Sequence, residues 1–226
     1  MFGMSKLMMG NNGGGGGGGY YFEYTDNKQN NSTATSYTFT TTQLGTPDTD
    51  RMIIISAVTT GSVGGSGIPS TLTVGGVSLT KADGIQQPFG FSYCASAIFY
   101  GKIATGTSAA VVVTPAAQTL GCRIAVYAYK TTQSAPLSIG KSGGLNDIVL
   151  DCVPYGIAIH SSGNNATSGR TNIWTGIDPI VDDVNTAWDS KWIAFSHVET
   201  TETSSVRAFD VIGGSSYARV GVSFGP

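Results

Sequence analysis

Apolar and polar positions alternate along much of this chain. In residues 36–42, Tyr37, Phe39 and Thr41 take turns with threonine. Successive side chains of a strand point to opposite faces, so this period of two predicts a half-buried β-strand. "RMIIISAV" (residues 51–58) does not alternate, and its unbroken apolar run predicts a central strand covered on both faces. "STLTVGGVSLTK" sets Gly75-Gly76 between two alternating runs, which predicts a two-residue hairpin of the I′ or II′ kind. Further strands are predicted over residues 91–102, 109–114 and 122–130, and then over 147–152, 155–161, 171–177, 191–198, 205–211 and 218–224. Clusters of Gly, Pro, Asn and Ser separate them, and almost no segment has helical periodicity. The pattern predicts an all-β fold, an antiparallel β-sandwich of jelly-roll-like kind.

An internal echo supports a duplicated sandwich. "FYGKIATGTSAAVVV" (99–113) and "FSHVETTETSSVRAF" (195–209) share the order aromatic, apolar, Thr-rich turn, small residues, Val-led strand. Each is followed by a matching strand, "RIAVYA" (123–128) and "RVGVSF" (219–224). Two strand–turn–strand units at corresponding points of two halves fit a jelly roll or a pseudo-duplicated sandwich.

Ahead of this pattern stands a segment of another kind. "MFGMSKLMMG" is followed by "NNGGGGGGGY", with seven consecutive glycines. Glycine loses more backbone freedom on ordering than any other residue, so such a run reads as a tether. At about 3.3–3.6 Å per residue, seven glycines reach roughly 23–25 Å. Residues 1–34 are therefore expected to form an extended anchoring arm, and residues 35–226 the β-sandwich domain. The arm's contact residues would be Phe2, Met4, Leu7, Met8 and Met9 at the tip and Tyr20, Tyr21 and Phe22 behind the glycines. Methionine suits an adaptable contact because its thioether chain is flexible and polarizable.

Composition narrows the function. Charged residues make up 12% of the 226-residue chain, about half of the usual ~25%. A net charge of −2 without a Lys/Arg cluster gives no field for phosphate, so nucleic acid is not an expected partner. No apolar run approaches the ~18 residues that span a bilayer, so no membrane insertion is expected. Lys6 interrupts the opening apolar residues, and Leu7-Met8-Met9 falls far short of the 7–15-residue apolar stretch of a secretory leader, so none is expected. Cys94, Cys122 and Cys152 are too scattered for a disulfide framework or metal site and are expected as buried thiols.

Candidate chemistry is sparse. "APLSIGKS" (135–142) lacks the first glycine of a phosphate loop and opens no helix, so Lys141 reads as a solvated loop charge. His160 and His197 are the only histidines; His197 runs in phase with Ile193 and Phe195, His160 out of phase with Ile157 and Ile159, and structural or surface roles are expected for both. Asp178, Asp182 and Asp183 lack the calcium-loop pattern and read as an acidic loop. Trp174, Trp188 and Trp192 are the candidates for a glycan-binding face, since aromatic rings cover apolar sugar surface. No enzymatic activity, cofactor or metal is expected.

"TPDTDRMIIISAV", "TLTVGGVSLTK" and "IATGTSAAVVVTPAAQTLGCRIAVYAY", with the closing "ARVGVSFGP", resemble the β-sandwich structural proteins of tailed bacteriophages. The resemblance covers most of residues 50–130 and more faintly 155–226. It implies a non-enzymatic virion component, such as a head decoration protein, spike, fibre or tail-associated protein, located in the virion. It also implies other virion proteins as partners and a homo-oligomer, with a trimer favoured. The alternative is a carbohydrate-binding module or adhesin that recognises host-surface glycans through the tryptophans.

Overall fold

The computed structural model describes residues 21–62, 65–89, 91–144, 148–164, 172–175, 181–188, 191–199, 208–211 and 217–226; for Phe89 and the strand residues from 164 to 217 it describes the backbone alone. Nine strands make the first unit: β1 (Phe22–Asn30), β2 (Tyr37–Gln43), β3 (Arg51–Ser62), β4 (Pro69–Val74), β5 (Val77–Ser78), β6 (Thr80–Phe89), β7 (Ser92–Lys102), β8 (Ser108–Pro115) and β9 (Gly121–Lys130). Their antiparallel pairs are nested: β4 with β5, β3 with β7, β2 with β8, β1 with β9. At the centre of the nest is the predicted turn, with φ of +56° at Gly75 and +84° at Gly76. Both values lie in the left-handed region that a type I′ turn requires and that glycine enters without steric cost.

Rolling this long hairpin over itself adds β9 to β3 and β8 to β4. The results are a five-stranded sheet, β1-β9-β3-β7-β6, and a four-stranded sheet, β2-β8-β4-β5. Two facing sheets with this nested order form a jelly roll. Between them Tyr37 and Phe39 of β2, Leu72 and Val74 of β4, and Val111 and Val113 of β8 meet Ile53, Ile55, Phe99, Ile124 and Val126 of the five-stranded sheet.

The second unit contains β10 (Ser138–Gly143), β11 (Ile157–Asn164), β12 (Asn172–Thr175), β13 (Val181–Trp188), β14 (Lys191–Glu199), β15 (Ala208–Val211) and β16 (Tyr217–Phe224). Its sheet order, β10-β16-β11-β14-β13, repeats β1-β9-β3-β7-β6 strand for strand, and the pair β12·β15 takes the place of β4·β8. The echo in the sequence thus marks equivalent strands: 99–113 covers the end of β7 and most of β8, and 195–209 the end of β14 and the start of β15. No described strand stands where β2 would have its counterpart.

The two five-stranded sheets pack face to face. Met52, Ile54, Ile98, Tyr127 and Tyr129 on the first meet Ile157, Ile159, Val220, Val222 and Phe224 on the second. This third layer explains the unbroken apolar run of β3, whose residues from Arg51 to Gly61 are all buried. Odd members of the run face one core and even members the other.

Four strands depart from the sequence expectation. β1 falls inside the predicted arm, so residues 22–30 are strand rather than part of an extended arm. A bulge between Tyr24 and Asp26 separates its buried Phe22 and Thr25 by three positions, an odd spacing that no period-two pattern displays. β6 has a similar register shift between Lys81 and Asp83. β10 consists of small and polar residues, and β13 holds the acidic pair read as a loop. Conversely, residues 148–152 form no strand, although Ile148 and Leu150 are buried. They lie over Gly140 and Gly221, whose missing side chains leave the sheet surface open to them.

Candidate functional site

Arg51 organises one end of the jelly roll. It heads β3, is fully buried, and spends its guanidinium on five backbone carbonyls. Nε donates to Ile103 O at 2.7 Å, Nη1 to Leu44 O at 3.2 Å and Gly45 O at 3.1 Å, and Nη2 to Thr105 O at 2.8 Å and Gly106 O at 2.9 Å. All five donors of the fork are thereby used. Burial pushes its pKa down, while the nearby Tyr21, Asp48 and Glu23 act in the opposite direction. The arginine ties the loop after β2 to the loop before β8, and Leu44 N donating to Thr107 O at 2.8 Å adds a direct link.

These tied loops and the start of β1 enclose a groove of about 370 Å³, lined by Glu23, Thr25, Gln43, Gly45, Thr46, Pro47 and Thr107. Gly45 is required twice over. Its φ is +73°, and a Cβ there would stand 2.6 Å from Glu23 Oε2 and 2.9 Å from Thr25 Cγ2. Thr25 Oγ1 lies 2.8 Å from Gln43 O and 3.1 Å from Val126 O and shares its one hydroxyl proton between them. Tyr21 caps the rim by donating from its hydroxyl to Thr46 O at 2.7 Å, and burial raises its pKa to about 12. Behind the loop, Asp48 pairs with Lys130 at 2.8 Å, a contact that holds the Asp48 carboxyl below its usual range together with the Asp50 N–H. Lys102 Nζ donates to Asp50 O at 2.8 Å and to Thr131 O. Glu23 is the one ionisable side chain of the groove, whose other polar groups are hydroxyls, an amide and backbone.

The predicted anchor residues divide. Phe2, Met4, Leu7, Met8, Met9 and Tyr20 lie outside the described residues. Tyr21 and Phe22 pack into the protein's own fold. Tyr21 packs against the core between the jelly-roll sheets. Phe22, 7% exposed, stacks on Tyr127 with ring centroids 5.8 Å apart and meets Tyr129 edge-on at 6.4 Å.

The tryptophans do not form one row. The β13·β14 register sets Ala187 opposite Trp192 and Trp188 opposite Lys191, so Trp188 and Trp192 occupy alternate positions of the pleat. Trp174 belongs to the separate pair β12·β15, opposite Phe209. The histidines also diverge: Ile159 opposes His197 while His160 opposes Ser196, which places them on alternate faces of neighbouring strands. Asp182 pairs in register with His197 on β13, correcting the loop reading, and Asp178 lies outside the described residues. Lys141 belongs to β10 rather than a loop and pairs with Asp83 at 2.9 Å. Cys94 and Cys122 are buried and Cys152 is half-buried, and none of the three forms a disulfide; burial drives the Cys122 pKa upward.

His160 is fully buried, and burial, with Arg219 nearby, drives its pKa well below 6.5. The folded state therefore binds fewer protons than the unfolded chain at mildly acidic pH, and stability must fall as pH drops below about 6.5, by up to about 1.4 kcal/mol per pH unit. Urea unfolding at pH 7.5 and 5.5 should show this loss, and His160→Gln should flatten it. An unchanged slope in the variant would assign the acid sensitivity to other groups.

Sequence reasoning identified neither Glu23 nor the groove. Glu23 sat inside the presumed arm, and the signals that were present are the arginine heading an apolar strand and the turn-rich "GTPDTD" before it. Comparison of the chain with protein-family models, with curated proteins and with solved structures finds no match.

Proposed function

We propose that this chain is a non-enzymatic structural protein of a larger assembly, anchored to neighbouring subunits by residues 1–20 and presenting a layered jelly-roll body. The observation that carries this reading is the place of β1. β1 is sealed into the first sheet from Phe22, so the apolar tip and seven glycines precede a rigid body with an edge strand at its root. The tip combines adaptable apolar side chains with a tether of long reach. Its docking must bury enough apolar area, at about 25 cal/mol per Å², to exceed the ordering cost of about 1–2 kcal/mol per residue. The three stacked layers supply stiffness suited to a building block. Within this reading, a bacteriophage virion component is the role that the sequence resemblance favours.

Removing residues 1–19 tests it. The truncated chain should keep its fold by circular dichroism, because it retains every strand and core residue described above. It should lose assembly, measured as oligomer mass by light scattering or as occupancy on particles that lack the protein. Unchanged mass and occupancy would remove the anchor role.

A further inference from the structure

We propose that the guanidinium of Arg123 and the hydroxyl of Ser56 hold a small monovalent anion, of halide size, between the two five-stranded sheets. Arg123 is 6% exposed, and its Nε and Nη1 have no hydrogen-bond partner among the described residues. Arg51 shows the contrasting arrangement, in which all five donors meet carbonyls. The ion pairs among the described residues are made by Lys28, Lys130 and Lys141, so no described carboxylate neutralises Arg123. Burial presses its pKa down while Tyr24 acts in the opposite direction, but a guanidinium does not shed its proton in a protein. A buried charge is tolerated when it is paired and hydrogen-bonded. Water satisfies donors, whereas an anion also balances the charge.

Strand pairing brings the two groups together. On β3 and β9, Val58 stands opposite Arg123 and Ser56 opposite Ala125. Val58 and Ala125 belong to the core between the five-stranded sheets, so Ser56 and Arg123 share that face as diagonal neighbours. Such neighbours are about 7–8 Å apart, within reach of a long side chain. Ser56 Oγ is buried and has no partner among the described residues either. Ser96, opposite Val58 on β7, is already committed, because its hydroxyl meets that of Ser161 across the layer at 2.7 Å. On the other side of Arg123 is Gln29 of β1, an exposed residue on the edge strand of the sheet. The site is therefore one strand from solvent, near enough to fill and too enclosed for a large ion.

Urea unfolding of the full-length chain over a range of sodium chloride, with sodium gluconate keeping the ionic strength constant, tests the proposal. Gluconate exceeds the size of so enclosed a site. Above half-saturation the folding equilibrium constant should rise up to about tenfold for each tenfold increase in chloride, because the anion binds the folded chain alone. Arg123→Met should abolish this response. Ser56→Ala keeps the charge and removes one hydrogen bond to the ion, so half-saturation should move to about tenfold higher chloride. In gluconate alone Ser56→Ala should match the wild type. Equal stability of the wild type in the two salts would overturn the anion site and leave water as the partner of both groups. A chloride response that survives in Arg123→Met would overturn it as well, by placing the anion elsewhere. If Arg123→Met fails to fold, Ser56→Ala decides, and an unshifted half-saturation would overturn the pairing of the two groups.

Discussion

Arg51→Met is expected to cost at least about 3 kcal/mol of stability, read as a lower urea midpoint at unchanged slope. A hydrogen bond to a charged group contributes about 1.5–3 kcal/mol, and an acceptor left buried without a partner costs about 1–3 kcal/mol. Five carbonyls lose their donor at once, but the effects do not add, because some of the loop backbone can turn toward water. Replacing a buried charge with an apolar side chain can be neutral where the partners are replaced too. Here the carbonyls of residues 44, 45, 103, 105 and 106 stay in place. Arg51→Lys should restore less than half of the loss, since an ammonium has three donors and no planar fork. A loss under about 1 kcal/mol in the methionine variant would show that the loops hold their shape without the guanidinium.

Phe224→Ala should be comparably severe, at about 3–5 kcal/mol. Phe224 is fully buried on the second five-stranded sheet and meets Tyr100 of the first edge-on, with ring centroids 5.6 Å apart. The truncation removes the ring's burial and leaves a cavity between two sheets that cannot close independently; the aromatic pair adds about 0.5–1.5 kcal/mol beyond burial. The informative measurement compares two probes during unfolding, tyrosine fluorescence and far-ultraviolet circular dichroism. Because Tyr127, Tyr129 and Phe224 share one core, the loss should shift both probes together. Separate transitions, with the tyrosine signal unchanged, would mean that the two units do not depend on this contact.

The parts of the fold legible in the sequence are those where local pattern and long-range packing agree. β2 alternates from Tyr37 to Thr40 because one face meets the core and the other meets solvent, until a bulge turns Thr42 inward in place of the expected Thr41. β3 reads as continuous because both faces are covered, and Gly75-Gly76 can be read because a type I′ turn demands φ values that few other residues supply. β1, β6 and β10 were illegible for a different reason. Bulges disturb the first two, and the third gains its place from pairing with β16 rather than from its own side chains. The groove was harder still. Its lining comes from β1, the loop after β2 and Thr107, positions that only the nested pairing brings together. Arg51 stood out by type, but its partners are carbonyls, which carry no sequence signature. The separation of Trp188 from Trp192 likewise depends on a hairpin register that residue spacing alone did not reveal.

The nesting of strand pairs also sets a timetable for synthesis. β1 leaves the ribosome first among the strands, yet its partner β9 is made last within the jelly roll, after every inner pair is available. Until then β1 is an unpaired edge joined directly to a sticky, methionine-rich leader, a combination that invites premature association on crowded polysomes. Inner pairs can close around Gly75-Gly76 at once, whereas the outermost must wait for most of the unit to be translated. The edge of the first sheet is therefore completed only at the end, when β9 captures β1.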